Sequence, residues 1–149
     1  MVCHLHAILK QGTRQVSDSL FNVGGYKTRP NFIGNPVTPT RTALPQDVPE
    51  FMDRLFDMCT KLEDEPYQIA RVHWTFEKIH PFSDGNGRTG RLVMFIKSLQ
   101  FGIVPPIVPK ERKAVYYRYL ELAQMDEKYD NLEQFIAESI IATAELLEG

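Results

Sequence analysis

Apolar residues recur at helical spacing through most of the chain. A short helix is expected from Leu5 to about Lys10, stopped by Gly12, with a further helical turn over Val16–Phe21. Asp47 is placed to cap a helix running to about Leu62, in which Phe51, Leu55, Met58/Cys59 and Leu62 share a face. After Pro66 a second long helix follows, with Ile69, Val72, His73, Phe76 and Ile79 on one side. The helical period resumes at Gly87, with Leu92, Val93, Phe95, Ile96 and Leu99 as its apolar positions, and Gly102 closes it. The stretch "IVPPIVP" is a stiff connector, and helices over about Glu111–Met125 and Leu132–Glu148 complete the chain.

Between the first helical segments and Asp47 the period fails. Five of the ten prolines fall between Pro30 and Pro49, which removes backbone donors and forbids a long helix. Within this part, Tyr26–Arg29 and Phe32–Ile33 are candidates for a small hairpin, with Gly34-Asn35 tolerating positive φ. No internal repeat or domain boundary is visible, so residues 1–149 are expected to form a single domain of helices with one small hairpin.

Composition narrows the function. At 149 residues and 43% hydrophobic the chain can bury one core. A net charge of −2 offers no basic footprint for nucleic acid, and residues 111–149 carry four Lys/Arg against nine Asp/Glu. No segment approaches the ~20 apolar residues of a membrane span, and the N-terminal apolar patch, broken by His4 and His6, is not a signal peptide. Cys3 and Cys59 lack any ligand spacing and are expected to be reduced thiols, in keeping with a cytoplasmic protein.

The chemistry is concentrated in "HPFSDGNGRTGR", residues 80–91, which lies between two of the expected helices. Its glycines let backbone N–H groups approach a ligand, and the following helix turns its unpaired N–H groups and positive dipole end toward the same space. Arg88 and Arg91 stand three apart on the first turns and suit several phosphates in a row. Asp84 is the one acid available to a Mg²⁺ ion that accompanies polyphosphate. His80 is the group able to take a proton from an attacking hydroxyl near neutral pH. Base, metal ligand and phosphate cradle are the parts needed for in-line attack on a bound nucleotide. Pro81 and Phe82 are assigned to shaping and anchoring the loop.

This stretch resembles, without a mismatch, the Fic-domain signature H-x-F-x-[D/E]-G-N-G-R-x-x-R. "GGYKTRPNFIGN" is similar to the family's flap, "RVHWTFEKIHPF" to the helix before its motif, and "VPPIVPKERKAVYYRYLELA" to the region after the motif helix. The resemblance implies an all-α Fic fold, a compact helical bundle with a β-hairpin flap at about residues 24–35. It implies transfer of AMP from ATP to a Ser, Thr or Tyr hydroxyl of a target protein, with release of pyrophosphate. In that scheme His80 is the general base and Asp84 the Mg²⁺ ligand. Gly85, Asn86 and Gly87 form the anion hole, Arg88 binds the phosphates and Arg91 reaches the γ-phosphate. The flap residues Gly25, Tyr26, Lys27, Thr28, Arg29, Phe32 and Ile33 clamp an extended target segment by main-chain pairing.

The family's inhibitory helix, [S/T]-x-x-x-E-[G/N], is matched only partly. Glu148-Gly149 fits, but Ala144 stands where Ser or Thr is expected, so pairing of Glu148 with Arg91 competes with a plain surface glutamate. His73 is expected to be structural, His4 and His6 to be surface or packing residues, and Trp74, Tyr116 and Tyr117 to be core or pocket wall. Transfer of another phosphate-containing group and removal of AMP are the enzymatic alternatives. A catalytically silent interaction module is the alternative of another class. Self-modification and homo-oligomerisation stay open; neither nucleic acid nor membrane is expected as a partner.

Overall fold

The computed structural model describes residues 1–34, 37, 39–60, 66–126 and 128–149, with the side chains of 125 and 126 left out. Six helices carry the fold: α1 (Val2–Lys10), α2 (Val48–Thr60), α3 (Pro66–Ile79), α4 (Asn86–Gln100), α5 (Lys113–Asp126) and α6 (Asp130–Glu148). Short 3₁₀ turns occupy Arg14–Ser17 and Lys110–Arg112, and a two-stranded antiparallel hairpin joins β1 (Phe32–Ile33) to β2 (Thr40–Arg41). The architecture is the expected helical bundle with a hairpin.

The centre of the molecule is α3. Ile69, Ala70, Val72, His73, Phe76, Glu77 and Ile79 are all buried, so the helix is covered on more than one side. It contributes to two core clusters. Val72, Phe76 and Ile79 meet Val2, the α2 residues Val48, Met52, Leu55 and Cys59, and Phe82 and Val93. Ile69 and Ala70 meet Met94, Tyr116, Leu120, Ala123, Leu132, Phe135 and Ile136. Pro66 begins α3 where its missing N–H costs nothing.

Several boundaries differ from expectation for physical reasons. The second helical turn is the 3₁₀ turn Arg14–Ser17 and stops short of Phe21. Asp47 does stand at the start of α2, its carbonyl accepting from Phe51 N–H at 3.0 Å; the helix is described as far as Thr60, and Leu62 lies outside the described residues. On α4 the buried face is Asn86, Thr89, Gly90, Val93, Met94 and Ser98, while Leu92, Phe95 and Leu99 are exposed. The helix turns its smaller residues to α3, whose Phe76 and His73 lie against Gly90.

The hairpin exists with a different partner. Phe32 pairs with Arg41 and Ile33 with Thr40; Tyr26–Arg29 forms no strand. Lys27 explains the change. Its N–H donates to the Pro81 carbonyl at 2.8 Å, and its buried ammonium donates to Asn31 Oδ1 and Thr42 Oγ1, both at 2.7 Å, and to the Ile79 carbonyl at 3.3 Å. That segment is tied to the chain after α3 and cannot pair with β1. The flap therefore extends to Arg41, beyond the expected 24–35; Asn35 lies outside the described residues.

Candidate active site

Phe76 and His80 set the loop's geometry. The His80 N–H donates to the Phe76 carbonyl at 2.9 Å, and His80 then takes a left-handed backbone conformation with φ 52°, which ends α3. Phe82 is fully buried, stacked on His6 with ring centroids 3.9 Å apart and planes 11° apart. The Asn86 side chain closes the loop: its Oδ1 accepts from Phe82 N–H at 2.8 Å and its Nδ2 donates to the Phe82 carbonyl at 2.7 Å. Gly85, at φ 81°, turns the chain into α4 in a conformation that a side chain disfavours. No acid occupies the first turn of α4, and no side chain caps it.

His80 and Gly87 line one cavity of about 610 Å³. Ile33, Gly34 and Thr40 of the flap form one wall and Ala114, Tyr117, Arg118 and Glu121 of α5 the other. Glu77 also opens on it. Gly87 is a cradle: a Cβ there would stand 3.5 Å from Arg91 Nη1 and 3.9 Å from Glu77 Oε1. Burial lowers His80 to about pH 4, so the imidazole is neutral at physiological pH. Its Nδ1 faces the Glu77 carbonyl at 3.3 Å.

Arg88 and Arg91 line an adjoining cavity of about 590 Å³, together with Lys110, Lys113 and Tyr116. Arg91, beside Gly87, stands where the two spaces approach each other. The predicted site is thus brought together around the N-terminus of α4, with the base on one side and the arginines toward the other.

The Asn86 side chain is bonded to the Phe82 backbone through both its oxygen and its nitrogen. Lys27 is buried in structural bonds, and Tyr26 packs on the core next to Phe82. Thr28, Arg29 and Phe32 are exposed, and Ile33 is half-buried. Glu148 is exposed at the end of α6, and among the described residues no ion pair joins it to Arg91. The buried face of α6 ends at Thr143, which leaves the last turn in solvent. His73 is fully buried and shares a 2.5 Å hydrogen bond with Tyr116 Oη, as a structural histidine should.

Three neighbours of the site received no role in it from the sequence. Lys10 is buried yet ion-paired with the Asp84 carboxylate, a bond that holds Asp84 below the usual carboxylate range. His6 is the packing residue rather than the surface one: it accepts from Gly24 N–H at 3.1 Å through Nδ1, leaving Nε2–H to donate to the Asp84 carbonyl at 2.9 Å. Glu77 is the third. All three lie outside the twelve-residue stretch; only its nearness to His80 in sequence could have flagged Glu77.

With this geometry in view, comparison with known proteins is decisive. The family model described as "Fic/DOC family" matches residues 1–96. The chain belongs to the Fic/DOC family. It is 32% identical over 106 residues to the protein adenylyltransferase fic-1 of Caenorhabditis elegans, covering 70% of this chain and 20% of that protein. It is 33% identical over 100 residues to the protein adenylyltransferase Fic of Drosophila willistoni, covering 67% and 20%. Solved Fic structures agree in fold. A Fic family protein from Desulfovibrio desulfuricans superimposes with a TM-score of 0.75 at 25% identity, over 99% of this chain and 46% of that one. Fic-1 from C. elegans (aa134 - 508 E274G) gives 0.78 at 24% identity, over 99% and 42%. The chain spans about a fifth of the length of those curated relatives.

The Fic/DOC signature raises the question of a Mg²⁺ ion. Among the described residues no group of three His, Cys, Asp or Glu could hold a metal alone. Asp84 has a side chain 43% exposed, with Lys10 on Oδ2 and Arg88 at 3.8 Å from the same oxygen. A single hard carboxylate beside a helix N-terminus fits an ion that arrives with phosphate oxygens as its other ligands.

Proposed function

We propose that this chain carries the transferase site of a protein adenylyltransferase, moving AMP from ATP to a hydroxyl side chain of a target protein. The observation that carries the reading is a neutral, half-buried His80 sharing one cavity with Gly87 at the uncapped N-terminus of α4. The adenylyltransferase names of its relatives support it.

In this reading the first-turn N–H groups of α4 and Arg88 bind the phosphates, with Arg91 at the far end. Asp84 would hold Mg²⁺, which supplies charge neutralisation to the phosphates when bound. The target enters along the flap. In this two-stranded sheet β1 has one edge unpaired among the described residues, so an extended segment can add to it by main-chain hydrogen bonds. Among the described residues Nε2 of His80 has no hydrogen-bond partner. It takes the hydroxyl proton, the oxygen bonds to the α-phosphorus, and pyrophosphate leaves with the electrons of the broken P–O bond.

The test is incubation with Mg²⁺ and ATP labelled at the α- or the γ-phosphate, with cell lysate as acceptor. AMP transfer leaves only the α-label on protein, and His80→Ala abolishes it while nucleotide binding persists. Protein-bound γ-label would replace this reading with phosphate transfer.

A further inference from the structure

A carboxylate buried beside the base is the least explained group near the cavity. Glu77 sits three residues before His80 on α3, and its side chain is only 7% exposed. Its Oε1 is a buried oxygen with no hydrogen-bond partner among the described residues. Such a group is expensive to keep unless it serves a purpose. No ion pair among the described residues joins it to Arg91, although the Arg91 guanidinium lies close enough to favour its charged form.

The surrounding chain makes room for it. An ideal Cβ on Gly90 would stand 2.5 Å from Glu77 Oε1, so this position of α4 must be glycine for the carboxylate to lie where it does. The other oxygen, Oε2, is 3.9 Å from Nδ1 of His80, the same nitrogen that faces the Glu77 carbonyl at 3.3 Å. One residue thus places its carbonyl within hydrogen-bond reach of the ring nitrogen opposite Nε2, and its carboxylate just beyond that reach.

We propose that Glu77 is a positioning residue for the general base: its carboxylate orients the His80 ring and balances the positive charge the ring acquires. This rests on the transfer reading above. For Nε2 to accept a proton, Nδ1 must carry one, and the carbonyl at 3.3 Å with the carboxylate behind it favours that tautomer. When the target hydroxyl gives its proton to Nε2, His80 becomes an imidazolium whose Nδ1–H faces the carboxylate. Glu77 takes no proton and touches no substrate; the proton leaves His80 to solvent after pyrophosphate departs. Serine hydrolases also set a buried carboxylate behind their histidine, there within direct hydrogen-bond distance.

The carboxylate is enclosed by titratable groups from each neighbouring element. His73 and His80 come from α3 and its end, Arg91 from α4, and Tyr116 from α5, with Tyr117, Arg118 and Glu121 across the cavity. Lys27 and Asp84 act on His80 from the other side. Burial raises Glu77 to about pH 7, so ionisation of the positioning group falls within an accessible range.

The experiment compares the parent chain with Glu77→Gln, which keeps the shape and removes the charge, and with Glu77→Asp. AMP transfer from α-labelled ATP is followed from pH 5.5 to 9. The parent rate should rise about tenfold between pH 6 and 8. Glu77→Gln should run at least about tenfold slower at pH 8, with an unchanged KM for ATP and a flat profile, and Glu77→Asp should recover part of the loss. A Glu77→Gln rate and profile matching the parent overturn the proposal, as does a loss confined to KM.

A second measurement is independent of transfer. ¹⁵N NMR of the His80 ring, without nucleotide, should show the Nδ1–H tautomer in the parent and a mixed population in Glu77→Gln. If the parent transfers no AMP, the transfer reading falls and the NMR comparison alone decides the role of Glu77. An unchanged tautomer overturns that role.

Discussion

At φ 52° His80 holds a backbone conformation that costs a non-glycine residue roughly 1–2 kcal/mol. It persists because Phe76 and Glu77 bind it from α3, and because Lys27 fastens the Pro81 carbonyl just beyond. Strain held in this way at a cleft is where function is expected. Burial moves the titratable groups here in opposite directions. Glu77 rises from 4.5 to about 7, while His73 and His80 fall from 6.5 to about 4. Between pH 4.5 and 7 the folded chain keeps a Glu77 proton that the unfolded chain has released, so this group lowers stability as pH rises. From pH 6.5 down to 4 the unfolded chain gains two histidine protons that the folded chain refuses, so these groups lower stability as pH falls. The stability advantage of Glu77→Gln over the parent should therefore grow by about 2 kcal/mol between pH 5 and pH 8, measured by urea unfolding. A difference independent of pH would show that Glu77 titrates normally.

At the scale of elements, the contact of α3 with α4 fixes the distance from base to phosphate cradle. Gly90 packs tightly on α3, where a Cβ would also meet Phe76 Cδ1 at 2.9 Å. Alanine is favoured over glycine within a helix by roughly 1 kcal/mol. Overpacking costs roughly 1–3 kcal/mol and should prevail. Gly90→Ala is thus expected to lower the melting temperature and to slow transfer by displacing Glu77; a raised melting temperature would place α3 and α4 further apart. The helices themselves were legible, because a period of 3.6 is written into a dozen or more residues at a time. The hairpin was legible only in part. Two-residue strands carry no period, and the choice of Thr40–Arg41 over Tyr26–Arg29 depends on Lys27 finding partners at Thr42 and Ile79. The motif was readable as chemistry, but the division of labour within Asn86, whose side chain serves Phe82, needed three dimensions.

Across the whole molecule, the site depends on a helix that no local pattern places beside it. Residues 6 and 10 reach Asp84 over separations of 78 and 74 positions, and no local pattern can encode such a contact. Through His6 the first helix grips three things at once: the turn at Gly24, the Phe82 ring and the Asp84 carbonyl. His6 is 1% exposed and neutral, with burial lowering its pKa. Replacing it with alanine opens a cavity against Phe82 and leaves the Gly24 N–H and the Asp84 carbonyl without their partner. The expected loss is about 3 kcal/mol, combining the packing and hydrogen-bond contributions. Because the loop is held by α1 on one side and by Asn31 and Asn86 on the other, the damage should be uneven. Hydrogen exchange of His6→Ala should show the amides around Gly24 and Asp84–Gly85 losing protection, while those in the middle of α6 fall only with global stability. Uniform loss across all helices would mean that α1 supports the bundle as a whole rather than the motif loop in particular.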